Sequence, residues 1–278
     1  MSAPAPRPFV KVEGLGNDFL LVDARHEAAA ALRSTLAALR ERAASLCDRR
    51  RGVGGDGVLV VAPPTTAGAV ATMIVVNADG SRPQMCGNGL RCVAAWLHRE
   101  GAPAELTVDT DAGPRACEVW RGEGSDRVAV DMGPAVLGGA VAPAHGDGRS
   151  FARVSMGNPH AVAFTAPGED PEALARTLGP GLERDAAFPE GTNVEFARLE
   201  PDGGLTLWVW ERGCGITDAC GTGACATVAA AVAGGHRPTG VDVHVALPGG
   251  VLVVRAGDDG RVRMTGPARL VFRGELPG

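Results

Sequence analysis

Two segments place a cysteine directly before a Gly-x-Gly step and an alanine-containing run. They are Cys86-Gly87-Asn88-Gly89, in QMCGNGLRCVAAWL, and Cys220-Gly221-Thr222-Gly223, in DACGTGACATVAAAVA. The glycines let a backbone come close to a ligand. A helix beginning at each step has N–H groups with no intrahelical acceptor. Such a mouth is an anion cradle, combining donors with the positive end of the helix dipole. The same field favours a thiolate, so a lowered cysteine pKa is expected. A carboxylate ligand and a reactive sulfur would then share one site.

If two halves of the chain face each other across a cleft, the ligand meets one sulfur from each. A thiolate on one face can take a proton from carbon while a thiol on the other delivers one. The product is inverted, and the reverse reaction swaps the two roles. The α-hydrogen of an amino acid is a very weak acid, so the developing enolate needs fixed donors, which the helix N-termini can supply. Near-attack contacts put the sulfurs about 7 Å apart in a closed complex. A disulfide pair would instead bring the Cα atoms within roughly 7 Å. Zinc is disfavoured for Cys214, Cys220 and Cys225, whose spacings are not those of a structural knuckle. The segments CGNGLR and CGTGAC lack the third glycine of a dinucleotide fingerprint, and RGVGGDG lacks the P-loop lysine and hydroxyl. Cys92 and Cys225 read as packing residues inside the helices.

The elements that must position these cysteines occur twice in similar order. FVKVEGLGNDFLLVDA reads as strand–turn–strand and AALRSTLAALRERAASLCDRR as a helix. VLVV and ATMIVV are strands, followed by the Cys86 helix and a meander through AELTVDTDAGPRACEVW and DRVAVDMG. The stretch MGPAVLGGAVAPAHGDGRS shows no strong pattern and is the expected boundary. The order then restarts with FARVSMGNPHAVAF, the helix EALARTLGPGLERD, the hairpin TNVEFARLEPDGGLTLWVWERG, the Cys220 helix and a second meander. ARLVFRGEL is a last strand. An internal duplication follows. Residues 1–133 carry Cys86 and residues 134–267 carry Cys220, with the last strand, about 268–278, packing onto the first half.

The chain has 278 residues, 45% hydrophobic and 21% charged, with a net charge of −5. That composition suits one large soluble domain or two smaller ones. Forty glycines and 20 prolines speak against a helical bundle. No basic block or aromatic–basic interleaving points to nucleic acid. No apolar stretch is long enough to span a bilayer. The opening MSAPAPRPFVKVEG lacks the pattern of a signal peptide, and its first eight residues read as a loose tail. A cytoplasmic location is expected. Seven cysteines, an odd number in a chain of this size, read as free thiols in a reducing compartment.

GLGNDF, NADGS, MCGNGLRC, SMGNPH, GTNVEF and ERGCGITDACGTGACA together closely resemble the diaminopimelate epimerase family, and they extend over nearly the whole chain. The resemblance implies an α+β fold of two pseudo-symmetric domains, each a curled, mostly antiparallel sheet or barrel around a central helix, assembled as a homodimer. It implies interconversion of LL- and meso-2,6-diaminopimelate for lysine and peptidoglycan precursors, with neither pyridoxal phosphate nor a metal. Cys86 and Cys220 match the acid/base pair, Cys86 as donor and Cys220 as acceptor in one direction. Gly87, Asn88, Gly221 and Thr222 match the carboxylate cradle. Asn17, Asn77, Asn158, Asn193 and Arg212 match substrate-binding positions, largely for the distal amino-acid end. Glu211 and His160 match groups supporting the reacting centre.

A guanidinium can grip a carboxylate with two bonds, and asparagines can both donate and accept around a zwitterion. Two features depart from the family. Gly57 in GVGGDGVL stands where Gln is frequent, so local rearrangement is expected, and Ile216 replaces a frequent acidic residue. Sister enzymes are the nearest alternative: proline and hydroxyproline racemases, which resemble CGHG at the first site, and a phenazine-pathway isomerase. Asn88 and the Asn/Arg set favour diaminopimelate. A thiol redox or metal-binding protein is the alternative of another class.

Overall fold

The structure, a computed structural model, describes residues 6–276. The chain divides into two compact units, Met1–Val130 with Gly266–Gly278, and Asp131–Thr265. The first unit runs β1 (Arg7–Gly14), β2 (Asn17–Asp23), α1 (Ala29–Cys47), β3 (Gly57–Ala62), β4 (Ala69–Asn77), α2 (Gly87–Arg99), β5 (Glu105–Asp109), β6 (Arg115–Trp120) and β7 (Asp126–Pro134), whose residues after Val130 belong to the second. The second continues with β8 (Val136–Val141), β9 (Phe151–Ser155), β10 (Pro159–Phe164), α3 (Pro171–Leu182), β11 (Asn193–Leu199), β12 (Leu205–Glu211) and the two-residue β13 (Gly215–Ile216). It ends with α4 (Gly221–Ala233), β14 (Val243–Leu247), β15 (Gly250–Ala256) and β16 (Arg261–Leu276). The final part of β16 belongs to the first unit and pairs antiparallel with β1.

Leaving aside β8 and β13, each unit follows the order β-β-α-β-β-α-β-β-β. Most strand pairs are antiparallel. The parallel pairs are β2–β3 and β4–β5 in the first unit, β10–β11 and β12–β14 in the second. Each is bridged by a helix, α1, α2, α3 and α4 in turn, because parallel neighbours need a long crossover. This is the α+β architecture the resemblance implies.

In the first unit, α1 packs Leu39, Ala43 and Leu46 on Leu20, Val22, Val58, Val60, Ile74 and Val76. Helix α2 contacts every strand from β1 to β6, and its residues Gly87–Leu97 are all buried. In the second unit, α3 sets Ala175 and Leu182 on Phe151, Val194 and Phe196. Helix α4 lies against β9, β10, β11 and β15. It is built of Gly, Ala, Thr, Val and one Cys and is buried almost all round. A helix apolar on every face belongs inside a core, and small side chains let surrounding strands close on it.

Three elements differ from the sequence reading. Residues 1–5 of the expected tail lie outside the described residues, but Arg7 and Pro8 join β1, opposite Leu276 and Glu275. Proline is tolerated near the start of a strand. The connection read as patternless contains β8, whose residues are nearly all exposed and whose register shifts between Leu137 and Ala140. A strand with little burial on either face shows no hydrophobic alternation. The meander's last strand and ARLVFRGEL form one continuous strand, β16. Within it, the Pro267 carbonyl is taken by Nε of the fully buried Arg91 at 3.1 Å.

Candidate active site

Cys86 is the N-cap of α2, with extended backbone (φ −139°, ψ 109°). Its sulfur accepts from the Gly89 N–H at 3.3 Å. A Cβ at Gly89 would lie 2.9 Å from Leu59 Cδ2 and 3.4 Å from this sulfur. Gly87 and Asn88 are the first residues of the helix, so their N–H groups stand at its mouth. Asn17 begins β2 after a two-residue turn at Leu15 and Gly16, both with positive φ. Its Oδ1 lies 4.0 Å from Cys86 Sγ and accepts from Asn88 Nδ2 at 3.2 Å. The Asn17 amide is oriented by Asp56 Oδ2 at 2.7 Å, and Arg49 holds the other Asp56 oxygen at 2.8 Å. Asn77 closes β4, donating through Nδ2 to Ser81 Oγ at 2.9 Å. The Ala78 N–H binds the Asp56 carbonyl at 3.1 Å, tying this turn to the residue that aims Asn17.

Gly57 faces Asn77 across β3 and β4, and a Cβ there would stand 2.5 Å from the Val76 carbonyl oxygen. The strands are drawn together at this point, so a glutamine could enter only if they parted.

The second unit repeats the cysteine geometry. Cys220 is the N-cap of α4 (φ −108°, ψ 104°), and its sulfur accepts from the Gly223 N–H at 3.3 Å. The Thr222 hydroxyl lies 3.6 Å from the sulfur. A chain of polar groups leads away from it. Asn158 Nδ2 donates to Thr222 Oγ1 at 3.4 Å, His160 Nε2 meets Asn158 Oδ1 at 3.0 Å, and His160 Nδ1 meets Glu195 Oε1 at 2.6 Å. Glu211, at the end of β12, accepts from the Thr217 hydroxyl, and its charge acts on the Cys220 thiol. Asn193 uses both ends of its amide within the protein, donating to the Pro159 carbonyl at 2.9 Å and accepting from the Arg212 N–H at 3.0 Å. The Arg212 side chain is exposed and donates to the Glu190 carbonyl at 2.9 Å. Ile216 packs against the α3 core.

The electrostatics correct one expectation. Burial pushes the Cys220 thiol well above its ordinary value, and the neighbouring carboxylates of Glu211 and Glu195 push it the same way. The Thr222 and Gly223 hydrogen bonds oppose this shift but do not overcome it. A helix mouth thus does not make this sulfur acidic. Burial also raises the Glu211 carboxyl. Cys92 and Cys225 are fully buried, and burial pushes the Cys92 thiol up to about 12.

The first unit therefore gathers Asn17, Cys86, Gly87 and Asn88, with Asn77 tied in through Asp56. The second gathers Asn158, His160, Glu211, Cys220, Gly221 and Thr222, with Asn193 and Arg212 as a linked pair alongside. Sequence reasoning passed over Asp56, Glu183 and Glu195. Glu195 carried a signal, being a charge in the middle of the apolar strand Val194-Glu195-Phe196-Ala197, and a carboxylate in a core demands a partner.

The sequence pattern of the family described as diaminopimelate epimerase matches residues 9–138 and 152–271. The chain belongs to the diaminopimelate epimerase family. It is 44% identical to the diaminopimelate epimerase of Desulfitobacterium hafniense over 96% of this chain and 97% of that one. The diaminopimelate epimerase of Geobacillus thermodenitrificans is 40% identical over 96% and 95%. Among solved structures, a hydroxyproline epimerase from Agrobacterium vitis superposes with a TM-score of 0.74 at 18% identity, covering 100% of this chain and 92% of that one. A phenazine biosynthesis protein from Bacillus anthracis gives 0.70 at 13% identity, covering 98% and 99%. These two likenesses speak to fold alone. Membership of the diaminopimelate epimerase family makes the chain an epimerase, an isomerase acting at a carbon centre.

Proposed function

We propose that the protein interconverts LL- and meso-2,6-diaminopimelate by a two-base mechanism without pyridoxal phosphate or metal, using Cys86 and Cys220. The observation carrying this reading is the repeated geometry: each cysteine caps a central helix, with its sulfur 3.3 Å from the third N–H of that helix. A sulfur and a set of anion donors are thus delivered together, twice. Inversion requires one sulfur on each face of the α-carbon. The donors at Gly87, Asn88, Gly221 and Thr222 receive the α-carboxylate as it gains enolate charge.

Glu211 gives Cys220 a route to act as base. The thiol proton passes to the Glu211 carboxylate, and the resulting thiolate takes the α-proton. Cys86 then delivers its thiol proton to the opposite face and is left as thiolate. In the reverse direction the roles exchange. Asn17, Asn77, Asn158, Asn193 and Arg212 recognise the two amino-acid ends, with His160 supporting the reacting centre. The same reading includes a cytoplasmic homodimer that engages neither nucleic acid nor membrane. Among the described residues, no helix is long and apolar enough to cross a membrane.

The test is an assay of purified protein, without added cofactor and with chelator, on LL-diaminopimelate, meso-diaminopimelate, proline and hydroxyproline. Equilibration of the first two alone is expected. Inversion of proline instead, or dependence on pyridoxal phosphate, would overturn the reading.

A further inference from the structure

The His160–Glu195 contact is the most deeply buried pair of titratable side chains near the second cysteine. His160 is 1% exposed and Glu195 0%. His160 lies on β10 and Glu195 on the parallel neighbour β11, so the pair could serve only to join two strands. Its position argues for more. A Cβ at Gly223 would lie 2.9 Å from Glu195 Oε1 and 3.2 Å from Cys220 Sγ. The carboxyl and the sulfur therefore press on the same glycine at the mouth of α4.

We infer that Glu195 is a positioning residue: through its 2.6 Å contact with His160 Nδ1 it keeps an Nε2–H on His160, and so sets the hydrogen-bond chain His160–Asn158–Thr222 that ends at Cys220 Sγ.

The donor and acceptor types fix the direction of that chain. Asn158 gives its Nδ2 to Thr222, so its Oδ1 faces His160 Nε2. An amide oxygen only accepts, and Nε2 must therefore carry a hydrogen. One proton then lies between Nδ1 and Glu195 Oε1, and the pair is neutral overall whichever atom holds it. Burial raises the Glu195 carboxyl, and the neighbouring His160 opposes that shift. The second oxygen, Oε2, has no hydrogen-bond partner among the described residues. A native core seldom leaves such an atom without a reason. The other titratable groups facing the pair are Glu211 from β12 and Cys220 from α4. With a carboxylate anchor His160 is held at both nitrogens; without it the ring can take the other tautomer, and Asn158 loses its donor.

This inference rests on the proposed role of Cys220, so its test includes a measurement that needs no turnover. Histidine-selective 15N NMR of the full-length protein would report the His160 tautomer in wild type, Glu195→Gln and Glu195→Ala. In wild type an Nε2–H and a strongly hydrogen-bonded Nδ1 are expected. Glu195→Gln can donate an amide N–H to Nδ1, so it should keep the Nε2–H and shift the Nδ1 signal. Because the Nε2–H is kept, its kcat and KM for diaminopimelate should stay close to those of wild type. Glu195→Ala should mix the tautomers and lose about 10–100-fold in kcat, as when an outer partner of a site histidine is lost, with KM within about twofold; if it does not fold, the wild-type spectrum and the Gln variant still decide. An Nδ1–H tautomer in wild type overturns the inference. So does a kcat in Glu195→Gln that falls while the Nε2–H is kept, or a kcat in a folded Glu195→Ala that is unchanged. Absence of diaminopimelate turnover in wild type, with the expected His160 spectrum, would instead overturn the proposed substrate.

Discussion

Cys220 Sγ accepts the N–H of Gly223 at 3.3 Å, so a sulfur occupies the capping role that serine, threonine or aspartate usually fills. The cap fixes the sulfur relative to the helix mouth, and Gly223 is where the carboxyl of Glu195 also lands. Two effects compete on that sulfur. The cap bond favours a thiolate, while burial and two nearby carboxylates favour a thiol, and the latter win. Cys220 therefore rests as a thiol, and under the proposed mechanism it becomes a base only when its proton has somewhere to go.

Replacing either sulfur tests the two-base mechanism. Cys86→Ala and Cys220→Ala should each lower the epimerisation rate by at least about 10³-fold, within the range for a lost acid or base. Loss of the cap should cost only about 1 kcal/mol. Thermal unfolding should show both variants folded, and substantial activity in either would remove the mechanism.

Glu211→Gln should separate reactivity from catalysis. Removing the charge beside Cys220 lowers the thiol's pKa, so alkylation of Cys220 at a given pH should become faster while epimerisation slows. In wild type, alkylation should rise about tenfold per pH unit through pH 9, since only the thiolate reacts. Epimerisation should fall on the acid side as Glu211 protonates, above its ordinary 4.5 because burial raises it. Stability carries the matching sign. A carboxyl whose folded pKa is raised contributes most below 4.5, and that contribution is lost as pH rises through the raised value. Glu211→Gln should thus gain stability relative to wild type as pH rises above 4.5, measured by paired melting curves.

The two capping glycines should respond differently. Gly223→Ala drives a methyl against Glu195 Oε1 and Cys220 Sγ. A destabilisation of about 1–3 kcal/mol is expected, as for an overpacked core, with a large loss of kcat. Gly89→Ala mainly meets Leu59 Cδ2, the far end of a flexible side chain, and should cost less in both. The reverse order in a denaturant series would contradict this packing.

Glu183 staples the strand end that carries Glu211 and Arg212. Its oxygens accept from Trp210 Nε1 at 2.7 Å and from the Gly213 N–H at 3.0 Å, on either side of those two residues. Glu183→Ala should cost about 1–3 kcal/mol for the donors left behind. If Arg212 binds substrate, KM for diaminopimelate should rise more than kcat falls; steady-state kinetics beside a melting curve would show the split.

Much of this was legible in the chain because its signals are local. The Cys-Gly-x-Gly steps announced two helix mouths, and the repeated order of strands and helices announced two related units. Asn17, Asn88, Asn158 and Thr222 proved to be hydrogen-bonded neighbours of the cysteines or of each other. What stayed hidden depends on contacts distant in sequence. Asp56 aims Asn17 from 39 residues away, and Glu195 reaches His160 from 35. The sign of the Cys220 shift was hidden for the same reason: the dipole is readable from a helix start, but burial and the charges of Glu211 and Glu195 are properties of the folded unit. The edge strand β8 lacked a pattern because almost nothing covers it.

The most direct test follows the α-hydrogen. LL-diaminopimelate is incubated with the protein in deuterium oxide, and configuration and deuterium content are read early in the reaction. An acid thiol that exchanges with water on one face and a base on the other predicts meso product carrying one deuterium at the inverted carbon, while unreacted LL substrate stays largely unlabelled. Inverted product that keeps its original α-hydrogen, or no inversion with both cysteines reduced, would contradict the two-thiol epimerase.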